Sequence, residues 1–364
     1  MTGFGRAFAL GVEEELLVVD PAALELSHTG VEVLAAMDVP AAAGSAHPDT
    51  YAALVEFASP VAASAEEGVR AVAGLRARAR AAGATLLGAG IHPDGAFGDV
   101  VHVDEPRYHA IHDQLRGLLR RTPTCALHVH VGMPDAATAI HVYNGLREWL
   151  PLLQALAASS PFWHGFDSGL ASARAQLFRG YPRGDIPRAF ASFEDFDESA
   201  AAVVAAGDAP DYTFLWWDVR PHPRLGTVEV RAMDAQSSLS TVLALTALIH
   251  GLARAAAEAP VAAGGWTPRE VLMESSFRAA RDGLAATLWH DGALRPVPEI
   301  ARTALTHARA ASGADPALDE VDRLLTETGG GADRQRTAFA TGGIPALLRH
   351  LARETATDPF SPAP

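Results

Sequence analysis

The sequence predicts an α+β fold, and three observations point to it. The first 90 residues read as strand, strand, helix, strand, alanine-rich helical segments fill much of the second half, and three apolar stretches carry polar groups at alternate positions. ALGVEEELLVVD places Glu13 and Glu15 one residue apart, CALHVHVG does so with His128 and His130, and GTVEVRAMD with Glu229 and Arg231. Residues i and i+2 of a strand share a face, so each stretch presents a polar pair on one side of a sheet and apolar groups on the other. If the three strands are neighbours, the pairs converge on one surface.

The elements follow in chain order. A strand over 7–19 ends at Asp20-Pro21, a hairpin-like connection comes next, and YAALVEFAS (51–59) is a second strand stopped by Pro60. Residues 64–82 open with a Ser-x-x-Glu capping box and continue with apolar groups at helical spacing, so they form a helix. TLLGAGIHP reads as a buried strand, a helix spans about 106–121, and the His128/His130 strand follows. Residues 135–158 form a long amphipathic helix with the apolar run WLPLLQALAA. The segment 159–190 is rich in Gly, Pro and aromatics and is expected to be a long functional loop. A helix at 194–206 precedes a strand pair at 212–219 and 226–233, and helices are predicted at 237–257, 268–288 and 297–311. No repeat or composition break divides the chain, so the expectation is one catalytic domain over 1–355 and a disordered tail at 356–364.

Composition narrows the function classes. With 364 residues, 49% hydrophobic and 20% charged, the chain is an ordinary globular protein with room for a substantial core. A net charge of −14 argues against nucleic acid or an anionic membrane surface as a partner. All 29 basic residues are arginine. Without lysine there is no Walker lysine, Schiff base or pyridoxal anchor, and phosphate must be met by arginine, backbone or metal. A single cysteine, Cys125, excludes an internal disulfide and fits a reducing compartment. The start of the chain lacks signal-peptide character and no apolar run reaches about 18 residues, so a cytoplasmic protein is expected.

The candidate site residues come from the alternating stretches and their surroundings. Glu13 and Glu15 lie roughly 6–7 Å apart on one strand face, where like charges repel unless solvated or bridged by a cation. Glu14 points the other way, with Leu10, Val12 and Leu16. Oxygen ligands of this kind suit magnesium or manganese better than zinc. Asp49 and Glu56 lie in AHPDTYAALVEFASP, and Glu56, between Val55 and Phe57, needs a partner if buried. His128 and His130 suit either a zinc pair or a mixed carboxylate–histidine shell. Arg220, Arg224 and Arg231 fall within twelve residues, and three guanidinium groups together call for an anion, with Arg174 in the Gly-rich segment a further candidate. Read from the residues alone, exposed strand faces and a cross-strand Glu229–Arg231 ion pair remain as bland alternatives. A metal-dependent hydrolase in which His128, His130 and the carboxylates activate water remains a functional one.

GVEEE, LHVHVG, SSPFWHGFDSGLASAR, WWDVRPHPRLGTVEVRAMD and GGADRQR together resemble the carboxylate–amine ligases of the glutamate–cysteine ligase type 2 family over nearly the whole chain. That family is similar to glutamine synthetase, and the resemblance implies a curved, mainly antiparallel sheet lining a funnel, backed by helices, where ATP and Mg2+ meet the substrate. It implies that Glu13, His128 and Glu229 hold one metal, that Glu15, Asp49 and Glu56 hold another, that Arg231 grips the transferred phosphate and that His130 sits beside ATP or the substrate. The activity implied is ATP-dependent amide formation through an acyl phosphate, by default between glutamate and cysteine or another small amine, in a homodimer. The chain departs from the family at Ser276 and Phe277, where Asn and Trp are usual, and at Gly330, where Asn is usual. These departures bear on substrate identity rather than on ATP chemistry.

Overall fold

A computed structural model describes residues 3–260, 265–313 and 315–360. Strands β1 (Leu10–Val19), β2 (Ser45–Pro48), β3 (Leu54–Ala58), β4 (Thr85–Leu87) and β5 (Ala126–Gly132) alternate with helices α1 (Gly30–Ala36), α2 (Ala65–Ala81) and α3 (Pro106–Leu115). Helix α4 (Ala136–Ala157) leads to a short hairpin, β6 (Phe162–Trp163) and β7 (Phe166–Asp167), then α5 (Ala173–Phe178) and α6 (Phe193–Ala206). Strands β8 (Val219–His222) and β9 (Thr227–Asp234) complete the main sheet. Helices α7 (Leu239–Glu258) and α8 (Arg269–Asp282), a hairpin of β10 (Thr287–His290) and β11 (Ala293–Pro296), and helices α9 (Val297–Ser312), α10 (Asp319–Arg323) and α11 (Gly331–Ala356) follow.

The sheet is open, antiparallel and seven-stranded, in the order β2-β3-β1-β5-β9-β8, with β4 also paired to β1. This is the α+β architecture predicted, and the three alternating stretches are adjacent as β1, β5 and β9. Register is set by the apolar face, because a slip of one residue would turn every acid inward to the core. Leu10, Val12, Leu127, Val129, Val131, Val228 and Val230, nearly or wholly buried, pack with α2, α4 and α7. Helix α7 is apolar enough by composition to cross a bilayer, but 78% of that apolar window lies inside the fold.

Local chemistry explains the helix starts. The Ser64 hydroxyl accepts from the Glu67 amide, and the Glu67 carboxylate accepts from the Ala63 amide. Asp135 and Ser238 cap α4 and α7 in the same way. At the end of β5, Gly132 is required by close approach, since a Cβ there would lie 2.1 Å from the Arg6 carbonyl oxygen.

Several sequence expectations are corrected. The connection after β1 is not a plain hairpin: it contains α1 and β2, and β2 pairs with β3 at the sheet edge. The strand expected at 212–219 begins only at Val219, after a 3-10 turn at Tyr212–Phe214 capped by Asp211. The helix expected to run to 288 stops at Asp282, where Gly283 takes φ +54°, and a hairpin follows. Helix α11, kinked at Gly342 and Gly343, was not foreseen. Of the tail expected to lack order, 361–364 lie outside the described residues, and the Phe360 ring lies 4.4 Å from the Arg70 guanidinium carbon.

Behind the sheet, Glu14 is 1% exposed and forms a two-pronged pair with Arg76 of α2, Nε–Oε1 2.8 Å and Nη2–Oε2 2.6 Å. The same guanidinium donates to the carbonyls of Gln236 and Ser237, each at 2.8 Å. Replacing one member of such a pair strands the other charge in the core. Arg76→Ala is therefore expected to destabilise the fold by roughly 3–5 kcal/mol in urea unfolding, and Arg76→Met combined with Glu14→Leu to recover much of that loss. Wild-type stability for Arg76→Ala alone would disprove the assignment.

Candidate active site

The face of the sheet opposite the core lines a cleft of about 600 Å³. Strand alternation places Glu13 and Glu15 there from β1, Glu56 from β3, His128 and His130 from β5, and Glu229 and Arg231 from β9, while Asp49 comes from the turn after β2. The register sets Glu13 opposite His128, Glu15 opposite Glu56 and His130 opposite Glu229. Every residue expected to ligate metal is in this one cleft, as are Arg174, Arg220 and Arg224.

The cleft has two acidic halves. In one, Glu13, His130 and Glu229 bring one donor atom each to within 4.8 Å of one another. His130 Nε2 lies 3.4 Å from Glu13 Oε1 and 3.8 Å from Glu229 Oε1. His128 is set slightly apart, its Nδ1 3.6 Å from Glu13 Oε2 and its Nε2 3.8 Å from Glu15 Oε1. The geometry thus groups His130 with Glu13 and Glu229, where the family resemblance implied His128, and leaves His128 bridging toward the second half. His130 Nδ1 is 3.0 Å from the Thr227 hydroxyl. With that nitrogen assigned as donor, the Nε2 lone pair faces two carboxylates, an arrangement that calls for a proton or a cation.

The second half gathers Glu15, Asp49 and Glu56. Burial, then the charge of Asp49, pushes Glu15 up to about 8. Burial, then Glu13, Asp49 and Glu15, pushes Glu56 well above the usual carboxylate range, and burial raises Asp49 against the pull of the Thr50 amide and hydroxyl. In the first half the balance is reversed. Burial opposes ionisation of Glu13 and Glu229, but His130 and His128 hold Glu13 well down, and Arg220 and Arg231 do the same for Glu229. Burial and Arg231 bring His128 down to about 4, whereas Glu13 and Glu229 overcome burial and raise His130. Crowded carboxylates that retain protons are the expected state of a cation shell without its cation.

The arginines divide differently from the sequence expectation. Arg220 is buried and fully engaged, donating to Glu229 at 2.7 Å and to the carbonyls of Thr213 and Leu215 at 3.0 and 2.7 Å. Arg224 is exposed and pairs with Asp211 at 3.1 Å. The three-arginine cluster is thus neutralised by protein carboxylates, and Arg220 has no guanidinium edge to offer an anion. Arg231 pairs with Glu229 through Nη1 and keeps a buried Nε donor without a hydrogen-bond partner among the described residues, as does Arg174. Unpaired buried donors in one cleft mark a place for a ligand.

Some lining residues were not foreseen. His47 faces Glu56 across β2 and β3, the His222 ring packs edge-on to His130 at 5.9 Å, and Tyr108, Tyr181 and Trp216 form part of the wall. The alternation rule could have found His222, two residues after Arg220, but the tyrosines lie on loops and helices with no local signature. Arg174 is not on a loop: it is on α5, and the segment around it is largely buried, because its serines are satisfied by Asp234. Cys125 is fully buried just before β5, as a structural residue would be. Ser276, Phe277 and Gly330 stand away from the cleft: Ser276 bonds Arg179 Nη2 at 2.6 Å, Phe277 is surface-exposed and Gly330 caps α11.

The sequence profile of glutamate–cysteine ligase family 2 matches residues 9–355. The chain belongs to that family. A putative glutamate–cysteine ligase 2-3 of Rubrobacter xylanophilus is 38% identical over 373 residues, covering 98% of this chain and 99% of the relative. The glutamate–cysteine ligase of Halobacterium salinarum is 34% identical, covering 96% and 97%. Among solved structures, glutamate–cysteine ligase from Francisella tularensis in complex with AMP superposes with a TM-score of 0.70 at 12% identity, over 99% of this chain and 91% of that one. A bifunctional glutathione synthetase from Pasteurella multocida gives 0.70 at 14% identity, over 96% of this chain and 52% of that one. Family membership makes the protein a ligase that forms carbon–nitrogen bonds, and it leaves the hydrolase alternative without support.

The raised Glu15 carboxyl gives this family member a testable pH signature. Its folded value of about 8 lies above the unfolded carboxyl range, so between the two the folded protein holds a proton that the unfolded chain has released. Its contribution to metal-free stability therefore falls as pH rises through that window. If Glu15 holds a divalent cation, the cation must displace the proton, and the gain in Tm from saturating Mg2+ is then expected to be larger near pH 8 than near pH 6. Glu15→Gln should flatten the difference. Equal gains at both pH values would remove Glu15 from the cation shell.

Proposed function

We propose that the protein is an ATP-dependent carboxylate–amine ligase that activates an amino-acid carboxylate, glutamate by default, as an acyl phosphate and passes it to the amine of cysteine or another small amine. ADP and phosphate are the other products. The observation that carries this reading is that one cleft holds both kinds of group that phosphoryl transfer needs. Oxygen and imidazole donors are present for divalent cations, and guanidinium N–H groups on Arg231 and Arg174 lack protein partners.

In this reading Glu13, His130 and Glu229 hold one Mg2+ or Mn2+ ion, and Glu15, Asp49 and Glu56 hold another, with His128 between the two sets. Ions held by these residues would supply positive charge to neutralise the nucleotide phosphates. Glu229 fixes Arg231 through its Nη1, and the guanidinium, which lines the cleft, would supply positive charge to the moving phosphoryl group. Arg220 keeps Glu229 ionised and immobile, so its role is to hold the ligand set rather than to touch the nucleotide. Arg174 faces the same anionic reactants from α5, and Arg224 stands at the rim. His130, between Glu13 and Glu229, is placed beside ATP or the substrate.

Release of ADP is expected to require Mg2+ and both an amino acid and an amine, with the amide product detected by mass. Glu15→Gln and Arg231→Ala should each lower kcat by at least about 10²–10³-fold, with unchanged circular dichroism. Wild-type turnover in both variants would take the cleft out of the reaction.

A further inference from the structure

We propose that Asp234, which does not itself line the cleft, is a positioning residue that aims Arg174 at the anionic reactant. The inference rests on the ligase reading of the cleft and adds a residue to it. Asp234 is the last residue of β9, the strand that also carries Glu229 and Arg231, and it is 2% exposed. Three donors converge on its carboxylate: the Ser159 amide at 2.9 Å and the Ser160 hydroxyl at 2.7 Å on Oδ2, and the Ser172 hydroxyl at 2.9 Å on Oδ1. Arg174 Nη1 lies 3.7 Å from Oδ1.

Each serine passes the constraint on. Ser172 is the N-cap of α5, its hydroxyl accepting from the Ala175 amide at 3.1 Å. The Ser160 hydroxyl accepts from the Arg174 amide itself at 3.2 Å. One carboxylate therefore fixes the first turn of α5, the backbone of Arg174 and one edge of its guanidinium, which leans on the Phe178 ring at 5.3 Å and leaves Nε unpartnered. Gly90 makes room for the arrangement, because a Cβ there would sit 2.6 Å from Asp234 Cγ. Helix α5 is six residues long and could not hold Arg174 in place by itself. A buried charge surrounded by donors on a strand end is rigid, and that rigidity reaches the cleft through Arg174.

The test is a double-mutant cycle. Asp234→Asn keeps the volume but sets an amide N–H against donors and removes the counter-charge. It is expected to lower kcat/KM for MgATP on the order of a hundredfold, mostly through KM. In an Arg174→Ala background the same substitution should cost little more. Equal losses in both backgrounds would overturn the proposal, since a purely structural role does not depend on Arg174. Crystal structures of the wild type and Asp234→Asn supply a readout independent of turnover. A displaced Arg174 guanidinium is expected, and an unmoved one overturns the proposal even if no ligase activity is found. If Asp234→Asn does not fold, Ser172→Ala keeps the charge and cuts its link to the helix cap. That variant should raise KM for MgATP and shift Arg174 in its crystal structure, and wild-type values for both would overturn the proposal.

Discussion

Everything at the active site depends on how strand β1 is held from behind. A strand whose front face carries Glu13 and Glu15 gains little from burying that face, so its position must be fixed by the other one. Leu10, Val12, Leu16 and Val18 supply apolar contact, and Glu14, between the two functional acids, supplies the bond to Arg76. The acid that takes no part in the cleft is the one that locates the two that do. A buried ion pair of this kind contributes more to register than to net stability, since the desolvation of both charges offsets much of their attraction.

Electrostatic crowding is the second organising constraint. The two halves of the cleft deal with it in different ways. Around Glu229, two arginines and a histidine neutralise charge, so the carboxylates are ionised and ready. Around Glu15 and Glu56, burial and neighbouring carboxylates outweigh the pull of Arg174 and Arg231, so protons are held more tightly. A protein of net charge −14 has concentrated several guanidinium groups among the carboxylates of this one cleft.

How much of this was legible follows from the range over which each signal acts. Period-two alternation is local and strict, so it put Glu13 with Glu15, His128 with His130 and Glu229 with Arg231 on one face of each strand, while their convergence rests on the strand order. Glu56 was legible because an acid amid apolar strand residues needs a reason to be there, whereas Asp49 came with the family resemblance. The approach of His130 Nε2 to both Glu13 and Glu229 depends on the β5–β9 register and on side-chain rotamers, which alternation does not fix. The engagement of Arg220 depends on carbonyls turned toward it by the turn at Tyr212–Phe214, a geometry without a sequence signature. The serine-rich segment read as a polar loop because its buried partner, Asp234, lies sixty and more residues away. Helix α11 escaped notice since its glycines and proline break the periodic pattern that reveals a helix.

Arg76 also ties together distant parts of the chain. Besides Glu14 it holds the carbonyls of Gln236 and Ser237 and, at 3.4 Å, that of Thr355, 279 positions away in sequence. The strand that carries the first two acids of the cleft is thus tied, through Arg76, to helix α11. During synthesis, the main sheet, complete by Asp234, can pair while the polypeptide is still emerging, but this clasp closes only once Thr355 has been made. Contacts of such long range slow folding and put the ordering of the cleft at its last stage.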